Sequence, residues 1–158
     1  MPISRAGRVA LLDSKADSPL DLGSLRAALH ALTDAIDVVS SPEFAAADPR
    51  WRATLVAGVV QHFEFTFELC WKMLKRQLER EVPSPSELDG ASYRELFRLG
   101  HERGLVSAVE PWFEFRELRN ITAHTYSREK ADKVAAGAPA LLAAAKALLS
   151  AIESRNHV

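Results

Sequence analysis

The chain has one cysteine, no long apolar run, no strand-like alternation and almost no net charge. The lone cysteine, Cys70, excludes an intrachain disulfide framework and any multi-cysteine metal site. It fits a reducing cytoplasm, which is the expected location. No stretch approaches the ~18 apolar residues of a membrane span, so no membrane partner is expected. Arg5 and Arg8 precede the run Val9–Leu12, which is shorter than the roughly 7–15 residues of a signal-peptide core. Residues 1–20 read as a flexible arm, and residues 21–158 as a single domain. With 20 basic and 21 acidic residues the formal charge is −1, which excludes strong general attraction to nucleic acid. A local basic patch remains open.

What is present is helical. Apolar residues make up 47% of the 158, enough for a packed core. Leu22, Leu25, Leu29, Leu32, Ile36 and Val39 recur at spacings of three and four and mark a first helix over about Asp21 to Ser40. Ser41-Pro42 is expected to stop it. A second, longest helix is expected from Pro49 to Glu81, capped by Asp48. Val56, Val59, Phe63, Phe67, Cys70, Leu74 and Leu78 form its stripe, and Glu68 and Lys72 have the spacing of a helical ion pair. Ser92 and Glu95 have capping-box spacing before a helix over Tyr93 to Arg103, which Gly104 ends. Ser107 and Glu110 repeat that spacing, so a fourth helix is expected from about Ala108, weakening near Thr122–His124. The last helix spans about Arg128 to Glu153, with a kink or break expected at Pro139. The pattern predicts an all-α fold, an antiparallel up-and-down bundle of four to five helices.

Chemistry concentrates in Arg119-Asn120-Ile121-Thr122-Ala123-His124-Thr125-Tyr126. Arg119 can clamp a phosphate with a planar fork of donors. His124 can exchange a proton near neutral pH. Tyr126 offers a hydroxyl and Asn120 an amide. In one continuous helix Arg119 and His124 would point about 140° apart. They converge only if the helix ends between them or a second subunit completes the site. The plainer reading is that an arginine and a histidine here satisfy the helix terminus. Glu64, Glu68 and Lys72 fit a solvated face, a brace for Arg119 or a dimer contact. Cys70 reads as core, and no histidine shows metal-ligand spacing.

Arg119, His124 and Tyr126 spell R-x4-H-x-Y, which resembles the signature of the HEPN superfamily of nucleotide-binding helical domains. Phe63 to Lys72, FEFTFELCWK, resembles the hallmark of the nucleotidyltransferase substrate-binding protein family, a branch related to HepT toxins of MntA/HepT-type modules. The two motifs occur in the family's order, and the likeness covers about Leu22 to Ile152. It implies a homodimeric helical bundle that works beside a separate minimal nucleotidyltransferase. It further implies an endoribonuclease acting on RNA, tRNA among the candidates, without metal or cofactor. Arg119 and His124 would then be catalytic, with Asn120, Glu64 and Glu68 supporting. Tyr126 would accept AMP groups that silence the toxin. The alternative is a non-catalytic nucleotide- or substrate-binding subunit of a two-component nucleotidyltransferase. A helical dimerisation module without ligand is the third reading. Gly23-Ser24 is not followed by a suitably placed paired-aspartate motif, so the chain does not resemble the nucleotidyltransferase itself.

Overall fold

The computed structural model describes residues 18–156, so most of the expected arm lies outside the described residues. Its elements in chain order are α1 (Gly23–Val39), α2 (Pro42–Ala46), α3 (Pro49–Glu81), α4 (Tyr93–Glu102), α5 (Glu110–Ile121) and α6 (Arg128–Asn156). Two 3₁₀ turns, Pro85–Leu88 and Thr122–His124, join the rest. No strand occurs among the described residues. The all-α bundle is as expected, with one short helix more than anticipated.

That extra helix comes from Ser41-Pro42. The pair ends α1 but also starts α2, with the Ser41 hydroxyl accepting from the Phe44 amide and Pro42 in the first turn. A proline that cannot continue one helix suits the start of the next. Asp48 repeats the device for α3, accepting from the Arg50 amide at 2.8 Å, and α3 has its expected bounds.

The core follows the apolar stripes. Leu25, Leu29 and Leu32 of α1 meet Val59, Phe63, Phe67, Cys70, Leu74 and Leu78 of α3, all buried. Burial pushes the Cys70 thiol far above its ordinary range, as befits an inert core residue. α6 packs along α3, α5 and α1. Val134, Ala138, Leu141, Ala145, Leu148 and Ile152 form its inner face. By length and composition α6 could cross a bilayer, but that character comes from its alanines, and its larger apolar side chains turn into this core.

The break that Pro139 could have made and the second capping box are both absent. α6 runs unbroken through Pro139, because Val134, Ala138 and Leu141 are fully buried on both sides of it and packing holds the helix across the missing hydrogen bond. The Ser107–Glu110 box does not form. α5 starts at Glu110 behind Val109, whose side chain makes no cap, with Pro111 in the first turn.

An aromatic chain fixes α4 and α5 on α3. Phe67 stacks on Tyr93 at 5.3 Å, Tyr93 meets Phe97 at 4.6 Å and Phe97 stacks on Trp112 at 4.8 Å. Trp112 then meets Phe115 edge-on at 5.5 Å, and Phe115 returns to Phe63 at 6.4 Å. Such pairs add about 0.5–1.5 kcal/mol each beyond area burial. Gly137 of α6 lets α5 come close, since a Cβ there would overlap the Leu118 side chain. On the outer face of α3, Trp51 and Phe65 stay exposed.

The start of α4 carries a complete capping box, with the Ser92 hydroxyl and the Glu95 amide paired and the Glu95 carboxylate bonded to the Ser92 amide at 2.6 Å. That backbone bond, ahead of the Ser92 side chain, holds the Glu95 carboxyl below its ordinary value. A depressed folded-state pKa stabilises above the unfolded value, and the gain is lost as pH falls through the folded one. Ser92→Ala is expected to cost about 1 kcal/mol in urea unfolding at neutral pH. Glu95→Gln should be less stable than the parent at neutral pH, and the gap should close as acid protonates Glu95. A gap independent of pH would contradict this.

Candidate functional site

α5 ends at Ile121, two residues after Arg119, and the chain tightens into the 3₁₀ turn Thr122–His124. At this helix end the Arg119 carbonyl accepts from the Thr122 amide and also from the Thr122 hydroxyl at 2.8 Å. Arg119 is therefore not needed to cap its own helix. Its side chain, 30% exposed, crosses to α3 instead. Its Nε donates to Glu68 Oε1 at 3.0 Å, and its Nη2 lies 3.2 Å from Glu64 Oε1. Nη1 reaches the Thr122 hydroxyl at 3.4 Å. Glu64 and Glu68 thus both engage Arg119 from α3, the contact that a brace requires.

Glu68 has a second task. Its Oε2 accepts from the Trp71 indole Nε1 at 3.0 Å, one turn along α3. The expected pairing of Glu68 with Lys72 is displaced by these contacts, and Lys72 lies 6.0 Å from the Trp71 ring centroid. One carboxylate thus fixes an arginine on one helix and an indole on another part of the same surface.

Beside this cluster opens a cleft of about 330 Å³, lined by Glu68, Trp71, Tyr93, Arg116, Arg119 and Asn120 among others. Tyr93 is anchored by Phe67 and Phe97, with the Arg116 guanidinium 4.7 Å above its ring. Burial pushes the Tyr93 phenol far above its usual range, so it stays neutral. Asn120 is exposed at the cleft.

His124 and Tyr126 lie past the helix end, both exposed, with ring centroids 6.4 Å apart and nearly perpendicular. Tyr126 is 87% exposed. It borders a second cleft of about 540 Å³, whose wall includes Arg50, Arg52 and Arg128. No hydrogen bond joins His124 to Arg119 within the chain. The helix does end between them, as convergence requires. Trp71, Tyr93, Arg116 and Thr122 were not singled out in the sequence as site residues. The spacing of Trp71 to Glu68 was the one available signal. Among the described residues, no group of His, Cys, Asp and Glu has metal-holding geometry.

Comparison with known proteins places this geometry in a family. Residues 20–154 match the family model described as nucleotidyltransferase substrate binding protein like. A Haemophilus influenzae protein named "Probable ribonuclease HepT" is 33% identical over 139 residues, covering 87% of this chain and 95% of the relative. A solved Haemophilus influenzae structure, described as revealing the fold of a substrate binding domain of a nucleotidyltransferase, superposes with a TM-score of 0.81. It is 32% identical and covers 84% of this chain and 99% of that one. A Thermus thermophilus crystal structure gives a TM-score of 0.65 at 25% identity, over 81% and 98% of the two chains.

The brace is measurable. Glu68→Ala removes two charge-assisted or polar contacts and should cost about 1–2 kcal/mol in urea unfolding, after allowance for partial exposure. Glu64→Ala, with one longer contact, should cost roughly 0.5 kcal/mol. Equal losses would mean that Glu68 does not carry the joint.

Proposed function

Because the chain belongs to the nucleotidyltransferase substrate binding protein-like family, we propose that it works beside a separate minimal nucleotidyltransferase as a HEPN-type, HepT-like ribonuclease toxin, silenced by AMP addition to Tyr126. The observation that carries this reading is the end of α5 at Ile121. It leaves Arg119 fixed on α3 while His124 and Tyr126 stand exposed beyond the helix.

Arg119 holds the scissile RNA phosphate through the N–H groups left on its Nη atoms. The 2′-oxygen attacks phosphorus, its proton passes to a neutral imidazole, and the departing 5′-oxygen takes a proton from an imidazolium. The guanidinium offsets charge on the phosphate as it builds. Such a step needs no metal. No hydrogen bond joins Arg119 to His124 within one chain, and a homodimer in which the second copy completes the site belongs to the reading. Asn120 helps hold the substrate, and Glu64 and Glu68 hold Arg119. AMP on Tyr126 would bring phosphate next to Arg50, Arg52 and Arg128 in the second cleft, and its negative charge would repel RNA. The reducing setting suggested by the lone buried cysteine suits a cytoplasmic toxin.

The carboxylates flanking Arg119 favour one competing reading, a non-catalytic subunit that presents nucleotide or substrate to the nucleotidyltransferase. In that case Arg119 mainly braces α5. The two separate in one assay. Purified protein incubated with tRNA or total RNA should cleave it, and Arg119→Ala and His124→Ala should each lose about 100-fold or more. Light scattering should give twice the chain mass. Cleavage unchanged in His124→Ala, or no cleavage by the parent, would reject the ribonuclease. With the nucleotidyltransferase and ATP, intact mass should rise by AMP units in the parent and stay unchanged in Tyr126→Phe. A rise in Tyr126→Phe would remove that residue as acceptor.

A further inference from the structure

The cleft beside Arg119 has features that phosphate binding alone does not require. Trp71 is partly buried, its indole fixed by the 3.0 Å bond to Glu68 Oε2. Arg119 is fixed by the other oxygen of the same carboxylate, also at 3.0 Å. The flat ring and the phosphate-holding guanidinium are therefore set at one fixed spacing. Tyr93 adds a second aromatic surface, held by the core, and Arg116 lies over it. Asn120, next to Arg119 in sequence, adds an exposed amide with both donors and acceptors. An anion site beside a rigid aromatic surface and an amide matches the parts of one nucleotide. Aromatic side chains stack bases, and amides pair with their edges.

Resting on the RNA-binding reading above, we propose that this cleft is a nucleobase subsite. It takes the base of the nucleotide whose phosphate Arg119 holds, with Trp71 as the stacking surface and Asn120 as the group that reads the base edge. Trp71 and Asn120 are then specificity-determining residues rather than catalytic ones. Neither exchanges a proton with the reacting atoms. Glu68 is a positioning residue for both ends.

The test separates base recognition from cleavage. The probes are short 2′-O-methyl oligoribonucleotides, which lack the attacking hydroxyl, the same oligomers with abasic positions, and free AMP and GMP. Binding is read by calorimetry and by quenching of tryptophan emission in a Trp51→Phe background, which removes the most exposed indole. The intact oligomer should bind with quenching, and the abasic one should bind roughly tenfold more weakly, the factor that loss of one stacked base ordinarily gives. Trp71→Ala should show a similar loss, and Trp71→Phe should recover most of it. Asn120→Asp should change the ranking among homopolymeric oligomers more than their mean affinity. Binding of the free mononucleotides with the same dependence on Trp71 would assign the subsite to a soluble nucleotide, and binding of oligomers alone would assign it to RNA. Equal affinity for intact and abasic oligomers in the unmutated protein overturns the base subsite, and this result needs no variant to fold. If Arg119→Ala still loses binding in that case, the phosphate site survives without it. Absence of binding by any probe overturns both.

Discussion

Much of the site depends on one carboxylate. Glu68 gives one oxygen to Arg119 and the other to Trp71, and so ties α5 to α3 at the point where the polar residues gather. The bond alone would not align the helices. Phe67, Tyr93, Phe97, Trp112, Phe115 and Phe63 do that first, by stacking α4 and α5 on α3 without a polar partner among them for most of the path. The aromatic chain sets the distance and Glu68 sets the direction. With Arg119 only partly exposed, the guanidinium is held in place yet still open to the cleft.

The second constraint is the end of α5. Had the helix continued, Arg119 and His124 would have faced different sides of it. The 3₁₀ turn instead lets the chain leave the helix while the Thr122 amide and hydroxyl both satisfy the Arg119 carbonyl. Arg119 stays with the α3 cleft, and Tyr126 comes to border the arginine-lined cleft near α2 and the start of α3. A group attached at Tyr126 would thus sit outside the cleft beside Arg119.

Features with a strong local cause were legible in the sequence. The bounds of α3 follow from Asp48-Pro49 and a long apolar stripe, and the Ser92–Glu95 box follows from side chains that reach only their own turn. Weakening of α5 near Thr122 was visible as a fading apolar rhythm. Features that turn on a choice between competing contacts were not. Ser107–Glu110 has the same spacing as the box at Ser92, but Val109 and Pro111 start α5 without it. Pro139 lies inside a helix because buried neighbours hold both sides of it. The pairing of Glu68 with Arg119 spans 51 residues and prevailed over the helical pairing with Lys72 that their spacing favoured. Trp71 stands four residues after Phe67, at core spacing, yet its burial is only partial.

Family membership and the sequence motifs agree on a helical protein of the nucleotidyltransferase substrate binding protein-like family, and the geometry adds a braced arginine, an exposed histidine and tyrosine, and an aromatic cleft. Whether these parts act on RNA is best tested by a crystal structure of the protein with a 2′-O-methyl RNA. The expected result is an internal phosphate within hydrogen-bonding distance of Arg119, with His124 of one copy or the other near the 2′- or 5′-oxygen. RNA bound elsewhere, with Arg119 still engaged only by Glu64, Glu68 and Thr122, would contradict it.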